Sequence, residues 1–315
     1  MNRVASVRRV PLLITIDVHP REGLSDYISR TTDRLGELGI HATFFIPVYL
    51  LEESPDIIDT VLKNGHQIAS HGLYHNNRES FRGFPPERYD LLSEKDQYRV
   101  IKEKTERFRK VLGRTPTCFR SPCFGISPAT VRFLEEFDYR ADFSVNSQRW
   151  DLLSSQPFTV NNLFAPRQPY HPSPLNPYRE GRSNLWEIPL SAMIFPFAVM
   201  TLLTFGSAFA ELFFRGLLQE SKRTGKPIIY MCHPEEFNPA GSTYTLTIKE
   251  LTLADFLPLR GEGIRARQAF RVSDPAKIFK KNIDFLKYMI REESLEILTA
   301  DQYLANKSFQ ITSNQ

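Results

Sequence analysis

The chain has 315 residues, 41% hydrophobic and 12% aromatic with 24 Phe, which is ample for a packed core and excludes a largely disordered chain. Its 40 basic and 36 acidic residues leave a net charge of +4, but the signs are interspersed, so nothing in the charge calls for nucleic acid. Three cysteines without framework spacing argue against a disulfide-stapled secreted domain and fit a reducing compartment.

The N-terminal stretch "MNRVASVRRVPLLITIDVHP" has arginines followed by an apolar run. The run from Val10 to Ile16 is short, no small-residue cleavage site follows, and Asp17 ends it, so it reads as a first buried strand and not a signal peptide. From there short apolar runs alternate with helical patterns. "PLLITID" (11–17) is a strand, 25–38 a helix around Ile28, Leu35 and Leu38, and "ATFFIP" (42–47) the next strand. "SPDIIDTVLKNG" (54–65) has a Ser cap, Pro at the first helical position and a closing Gly. "HQIASH" (66–71) is a third strand, and 93–112 a long charged helix ending at Gly113. "PTCFRSP" (116–122), "RADFSVN" (140–146), "LWEIPL" (185–190) and "KPIIYMCHP" (226–234) are further strands, with helices at 127–137, about 207–223 and 275–292.

About seven strand–helix units in one run predict an α/β fold, a (β/α) barrel of parallel strands with helices outside. It would occupy residues 1–305 as one domain, with 306–315 as a tail. Asp17, His71, Arg120, Asp142 and His233 fall at the carboxyl ends of the strands, the edge where such folds build active sites. Residues 76–92, 147–184 and 238–272 are long polar or Pro-rich connections, a length more often functional than idle. The segment 194–214, "IFPFAVMTLLTFGSAFAELFF", holds one charge, Glu211, yet Pro196 and Gly206 interrupt it. A buried helix is the first reading, a surface leaning on a membrane the second and a true span the third.

Asp17 and His19 stand two apart in "TIDVHP", so on an extended segment they share a face and can enter one cavity. The plain alternative is a capping Asp and a surface His. His71 and His75 bracket "GLY" in "IASHGLYH", and neutral imidazoles at that spacing can hold one divalent ion. The plain alternative is one core and one exposed His, and His66 is read as structural. Arg120 in "FRSPCFG" can orient a carboxylate and keep it ionised, or form a surface ion pair. His233 in "MCHPEEF" suits a general acid, with Cys232 turned to the opposite face as packing. Cys118 and Cys123 flank Arg120, and packing is preferred for them to a metal role.

The ordered series "TIDV", "GHQIASHGLYH", "FRSPCFG", "RADFSV", "WEIPLS" and "YMCHPEEF" resembles the polysaccharide deacetylase family, the metal-dependent carbohydrate esterases of family 4 with a NodB-like domain. Its final "HPEEF" resembles a subgroup that makes or modifies cell-surface glycans. The resemblance implies a deformed (β/α) barrel and a hydrolase removing N-acetyl or O-acetyl groups from a sugar, glycan or glycan precursor. It also implies a divalent ion, Zn²⁺ first. The family's first motif supplies a base Asp, matched by Asp17, and a ligand Asp, whose place holds Val18. The ligand role therefore moves to His19, giving a site of His19, His71 and His75 with Asp17 as base; the competing assignment makes Asp17 a ligand. Arg120, Pro122 and Gly125 carry one residue more than the family's third motif. Cys123 or Phe124 is then the source of the oxyanion N–H. The Asp that tunes the catalytic His is assigned to Asp142, before Asp151 and Glu187.

Substrate contacts are expected from Arg167, Tyr170 and His171 in "APRQPYHPSP" (165–174). The resemblance and the N-terminus together point to a cytoplasmic enzyme on a nucleotide- or lipid-linked acetylated sugar, with a peripheral membrane contact through 194–214 suiting the lipid-linked case. An amidohydrolase of non-sugar linear or cyclic C–N bonds on the same barrel, and a non-catalytic glycan-binding protein, are the alternatives.

Overall fold

The run Val10–Asp17 forms the first strand of the protein in a computed structural model that describes residues 9–75, 81–148, 161–240 and 274–312, with side chains to 306. The first half of the chain runs β1 (Val10–Asp17), α1 (Leu24–Glu37), β2 (Thr43–Ile46), α2 (Val48–Glu53), α3 (Asp56–Lys63) and β3 (Gln67–Ser70). It continues through α4 (Glu94–Leu112), β4 (Cys118–Phe119), α5 (Pro128–Glu136) and β5 (Ala141–Asp142). Then come β6 (Pro172–Ser173), β7 (Asn176–Glu180), β8 (Trp186–Glu187), β9 (Ala192–Met193), β10 (Phe195–Pro196), α6 (Val199–Phe205) and α7 (Ser207–Thr224). The described chain closes with β11 (Ile228–Cys232), α8 (Pro275–Ile290), β12 (Leu295–Ile297) and α9 (Ala300–Thr312).

Seven strands pair in parallel in the order β11-β1-β2-β3-β4-β5-β8, and β12 adds to the first residues of β1. The sheet curls; a single bridge from Asn146 to Leu190 prolongs the pairing of β5 with β8, and one from Ala198 to Met231 joins the segment after β10 to β11. This is the deformed α/β barrel expected from the alternating runs. The strands are shorter than the apolar runs suggest, with β4, β5 and β8 only two residues each, because the barrel's curvature ends regular pairing early.

Strand alternation sorts the core into two layers. Leu12, Ile14, Ile68, Phe119, Ile228 and Tyr230 pack against the helices. Leu13, Phe45, Ala69, Cys118, Ile229 and Met231 fill the barrel interior. Each such fully buried Leu, Ile or Phe contributes roughly 1.5–3 kcal/mol relative to exposure, so register is strongly fixed and a one-residue slip would turn both layers inside out.

Two local readings change. Ser54 does not cap α3; Pro55 occupies the N-cap position, and no side chain supplies that bond. The apolar stretch 194–214 is no continuous helix: it folds as β10, α6 and the first turns of α7, broken at Gly206 with φ 86°. Val199, Leu202, Leu203, Phe213 and Phe214 are buried, whereas Phe195, Phe205, Phe209 and Leu212 keep exposed surface. Among the described residues no helix is long and apolar enough to cross a membrane.

Candidate active site

Four of the barrel strands carry a polar residue in the inward phase at or just past the carboxyl end. On β1, Leu13 faces the interior, so Thr15 and Asp17 do too; Ala69 sets the phase of His71, Cys118 that of Arg120, and Met231 that of His233. The four strands therefore aim Asp17, His71, Arg120 and His233 at one mouth. His19 continues the phase of Asp17 beyond the strand, where the Val18 N–H still donates to Phe45 O at 3.0 Å.

His19 meets His75 at 4.4 Å between ring centroids and His71 at 5.9 Å, and His71 and His75 are 4.7 Å apart. One nitrogen from each lies within 4.8 Å of the others, and no carboxylate joins that cluster among the described residues. His71 Nδ1 pairs with the Arg120 carbonyl at 2.9 Å, so the proton sits on Nδ1 and Nε2 keeps its lone pair. Burial, the largest cause throughout, pushes His71 to about 4, His75 to about 3 and His19 well below the usual histidine range. Three neutral imidazoles facing one point are a donor set that fits a divalent ion taking nitrogen ligands, Zn²⁺ among them.

Asp17 is buried and accepts from Arg120 Nη1, which also donates to Thr15 Oγ1 at 3.0 Å; Arg120 Nε donates to Phe143 O at 3.1 Å. Burial alone would raise the Asp17 pKa, but Arg120, His71 and His233 outweigh it and the net is lowered. His233, whose ring is 4.9 Å from that of His19, moves the other way. Burial would lower it, but Glu236 overrides this through charge and a 3.3 Å contact with Nδ1, and the pKa rises to about 9. Arg21, two residues after His19, pairs with Glu235 at 2.9 Å and ties the first strand's loop to the last.

Glu236 takes the place expected for Asp142. Phe119, the cross-strand neighbour of Asp142, lies on the helix side of the sheet, so the pleat turns Asp142 away from the mouth that Arg120 enters. Asp142 instead accepts from Ser144 and adjoins Glu187 on β8. Burial pushes Asp142 up to about 6 and Glu187 well above the carboxylate range. Asp151 lies outside the described residues. The signal for Glu236 was present: His-Pro-Glu-Glu has the spacing by which a residue at the third helical position reaches back to the cap, and the structure shows that capping box.

The Phe124 N–H already donates to Ser121 O at 3.0 Å inside a tight turn where Cys123 and Phe124 have φ 56° and 61°. The structure does not bring Arg167, Tyr170 and His171 to the histidines. Arg167 is paired with Glu220 on α7, the Tyr170 hydroxyl donates to Pro177 O, and His171 packs at a tilt against Trp186 and bonds Leu185 O. Those partners lie on α7, on β7 and at the start of β8, because Tyr170 bridges to Glu187 while 172–173 pair with β7. His66 is structural as read, with Nδ1 accepting the Ala42 N–H at 3.1 Å.

Residues 6–141, which include Asp17 and the three histidines, match the family model described as polysaccharide deacetylase. Over these residues the chain is similar to the polysaccharide deacetylase family. Two curated relatives match in part. An uncharacterized 30.6 kDa protein of Geobacillus stearothermophilus is 25% identical over 132 residues, 39% of this chain and 46% of the relative. The peptidoglycan deacetylase-like protein FGM2 of Gibberella zeae is 26% identical over 162 residues, 44% of this chain and 45% of the relative. The chain thus spans less than half the length of these relatives. A solved structure of a candidate polysaccharide deacetylase from Mycobacterium smegmatis superposes with a TM-score of 0.58 over 97% of this chain and 92% of its own, a likeness of fold at 18% identity.

Proposed function

We propose that the protein is a metal-dependent deacetylase hydrolysing an N-acetyl group on a sugar or glycan. The observation that carries this reading is a carboxylate paired with Arg120 and an imidazole paired with Glu236 beside three clustered imidazoles. Asp17 is held ionised by Arg120, and His233 is held protonated by Glu236. Environments that push two titratable groups apart assign acid and base.

His19, His71 and His75 would hold a divalent ion, and when bound it would polarise the acetyl carbonyl and acidify a water toward a pKa of about 7. The Asp17 carboxylate accepts the proton of the attacking water. Arg120 anchors Asp17 through Nη1 and is itself fixed by Thr15 and Phe143, so the base neither rotates nor protonates at neutral pH. Glu236 engages His233 Nδ1, which leaves Nε2 to deliver a proton to the departing nitrogen. An amine leaves poorly unless protonated, and an acid with a pKa of about 9 keeps its proton at pH 7, which favours the N-acetyl over the O-acetyl substrate.

The test is acetate release from a panel of N-acetylated sugars and oligosaccharides by Zn²⁺-supplied protein, with Asp17→Asn as control. Release that depends on Asp17 supports the reading. No release from any member, or equal release by the control, sinks it.

A further inference from the structure

The segment bearing His71 and His75 is gripped by a residue with no role in the chemistry. Glu87 is fully buried, and its carboxylate accepts the N–H groups of Leu73 at 2.7 Å, Tyr74 at 2.7 Å and His75 at 2.6 Å. Its fourth bond is from the Tyr89 hydroxyl at 3.0 Å. The carbonyls of the same segment are held from the other side: Val48 N–H donates to Gly72 O at 3.2 Å and Tyr49 N–H to Leu73 O at 3.3 Å. Three successive N–H groups converging on one anion form a nest, and a carboxylate can satisfy all of them where a neutral amide cannot.

The bend is otherwise unfavourable. It needs φ 93° at Gly72 and φ 55° at His75, and a non-glycine residue stays in that region when its surroundings over-determine it. A Cβ at Gly72 would come within 2.7 Å of Glu87 Oε1, so carboxylate and glycine fit only each other. Behind Glu87, the ammonium of Lys104 is buried in an aromatic cage, 3.3 Å from the Phe119 ring centre and 5.0 and 5.5 Å from those of Tyr139 and Tyr89. Burial pushes the Glu87 carboxyl up and the Lys104 amine well down, and each opposes the other's shift.

We propose that Glu87 is a positioning residue that builds the metal site, by fixing the backbone of residues 72–75 so that the His75 imidazole meets those of His71 and His19. The proposal rests on reading the three histidines as ligands. Glu87 touches neither ion nor substrate; it acts through the His75 backbone.

The test titrates Zn²⁺ into the metal-free full chain against a chromophoric chelator, records the visible spectrum with Co²⁺, and follows thermal unfolding without metal. Wild type is expected to take about one ion tightly, His71→Ala to lose it, and Glu87→Gln to stay folded but bind roughly 10–100-fold more weakly, with an altered Co²⁺ spectrum. A residue that only stabilised the fold would lower the unfolding temperature and leave affinity and spectrum unchanged, and that result overturns the proposal. If Glu87→Gln does not fold, Tyr89→Phe, which removes one of the four bonds, is expected to weaken the ion several-fold, and unchanged affinity there overturns it equally. Wild type that takes no ion would instead defeat the ligand reading itself, and Glu87's role with it.

Discussion

Glu236 grips His233 at two points: Oε2 accepts the His233 backbone N–H at 2.8 Å, and Oε1 lies 3.3 Å from its ring Nδ1. The same carboxylate thus orients the imidazole and raises its pKa. Glu236→Gln keeps the shape and removes the charge, so burial is left to dominate and the His233 pKa falls. The rate is expected to drop about 10–10²-fold at pH 8, less than the roughly 10²–10⁴ of losing a general acid outright, and the alkaline limb of kcat/KM to move to lower pH. A pH–rate profile superposable on wild type would show that Glu236 does not set the acid.

Arg120 acts on Asp17 in the opposite sense. Arg120→Met leaves a buried carboxylate without its counter-ion, which raises the Asp17 pKa, so activity is lost from the acidic side upward. Breaking a buried pair this way also destabilises by about 3–5 kcal/mol. Urea unfolding and the acidic limb of the rate profile, measured together, check both effects. Asp17→Asn removes the base outright and is expected to cost on the order of 10²–10⁴ in rate.

Metal analysis separates the two ligand assignments. Chelator treatment is expected to abolish activity and Zn²⁺ to restore it. His19→Ala is expected to lose the ion, while Asp17→Asn keeps about one per chain with little activity. An ion that survives His19→Ala and departs with Asp17→Asn would transfer the ligand role to Asp17.

His66 predicts an acid-side stability slope unrelated to catalysis. Burial first and His41 second push its pKa from 6.5 down to about 4. A group depressed on folding stabilises fully above its unfolded pKa and loses that contribution as pH falls through the folded value, so the window is 6.5 to 4. His66→Asn, which keeps an acceptor for the Ala42 N–H, is expected to reduce the slope of unfolding free energy in that window by up to about 1.4 kcal/mol per pH unit, one proton's worth. Chemical denaturation at several pH values between 4 and 7 measures it.

Much of the barrel was legible because its signals are local. Apolar runs at β1 and β11 and the Ser93 and Gly113 caps of α4 belong to contiguous residues. Strand phase also carries: once Leu13 and Met231 are inward, Asp17 and His233 follow at two-residue steps. The phase misleads at Asp142: the run "RADFSVN" alternates polar and apolar residues, but here the apolar Ala141 and Phe143 take the interior face and turn Asp142 to the other. Arg167, Tyr170 and His171 fail differently, since a polar loop offers partners everywhere and its actual ones, Glu220, Pro177 and Leu185, are chosen by packing.

The sequence by itself determined the alternation of barrel strands and helices and set five polar residues at strand ends, four of which the fold turns to one mouth, because each depends on spacing along the chain. Tertiary structure alone decided that Glu236 partners His233, that the three imidazoles close on one point, and that Glu87 folds the loop bearing His75. The physical reason is that a buried carboxylate takes whichever donors the fold brings to it. Twelve residues separate Glu87 from His75, and nothing in their spacing says that they meet.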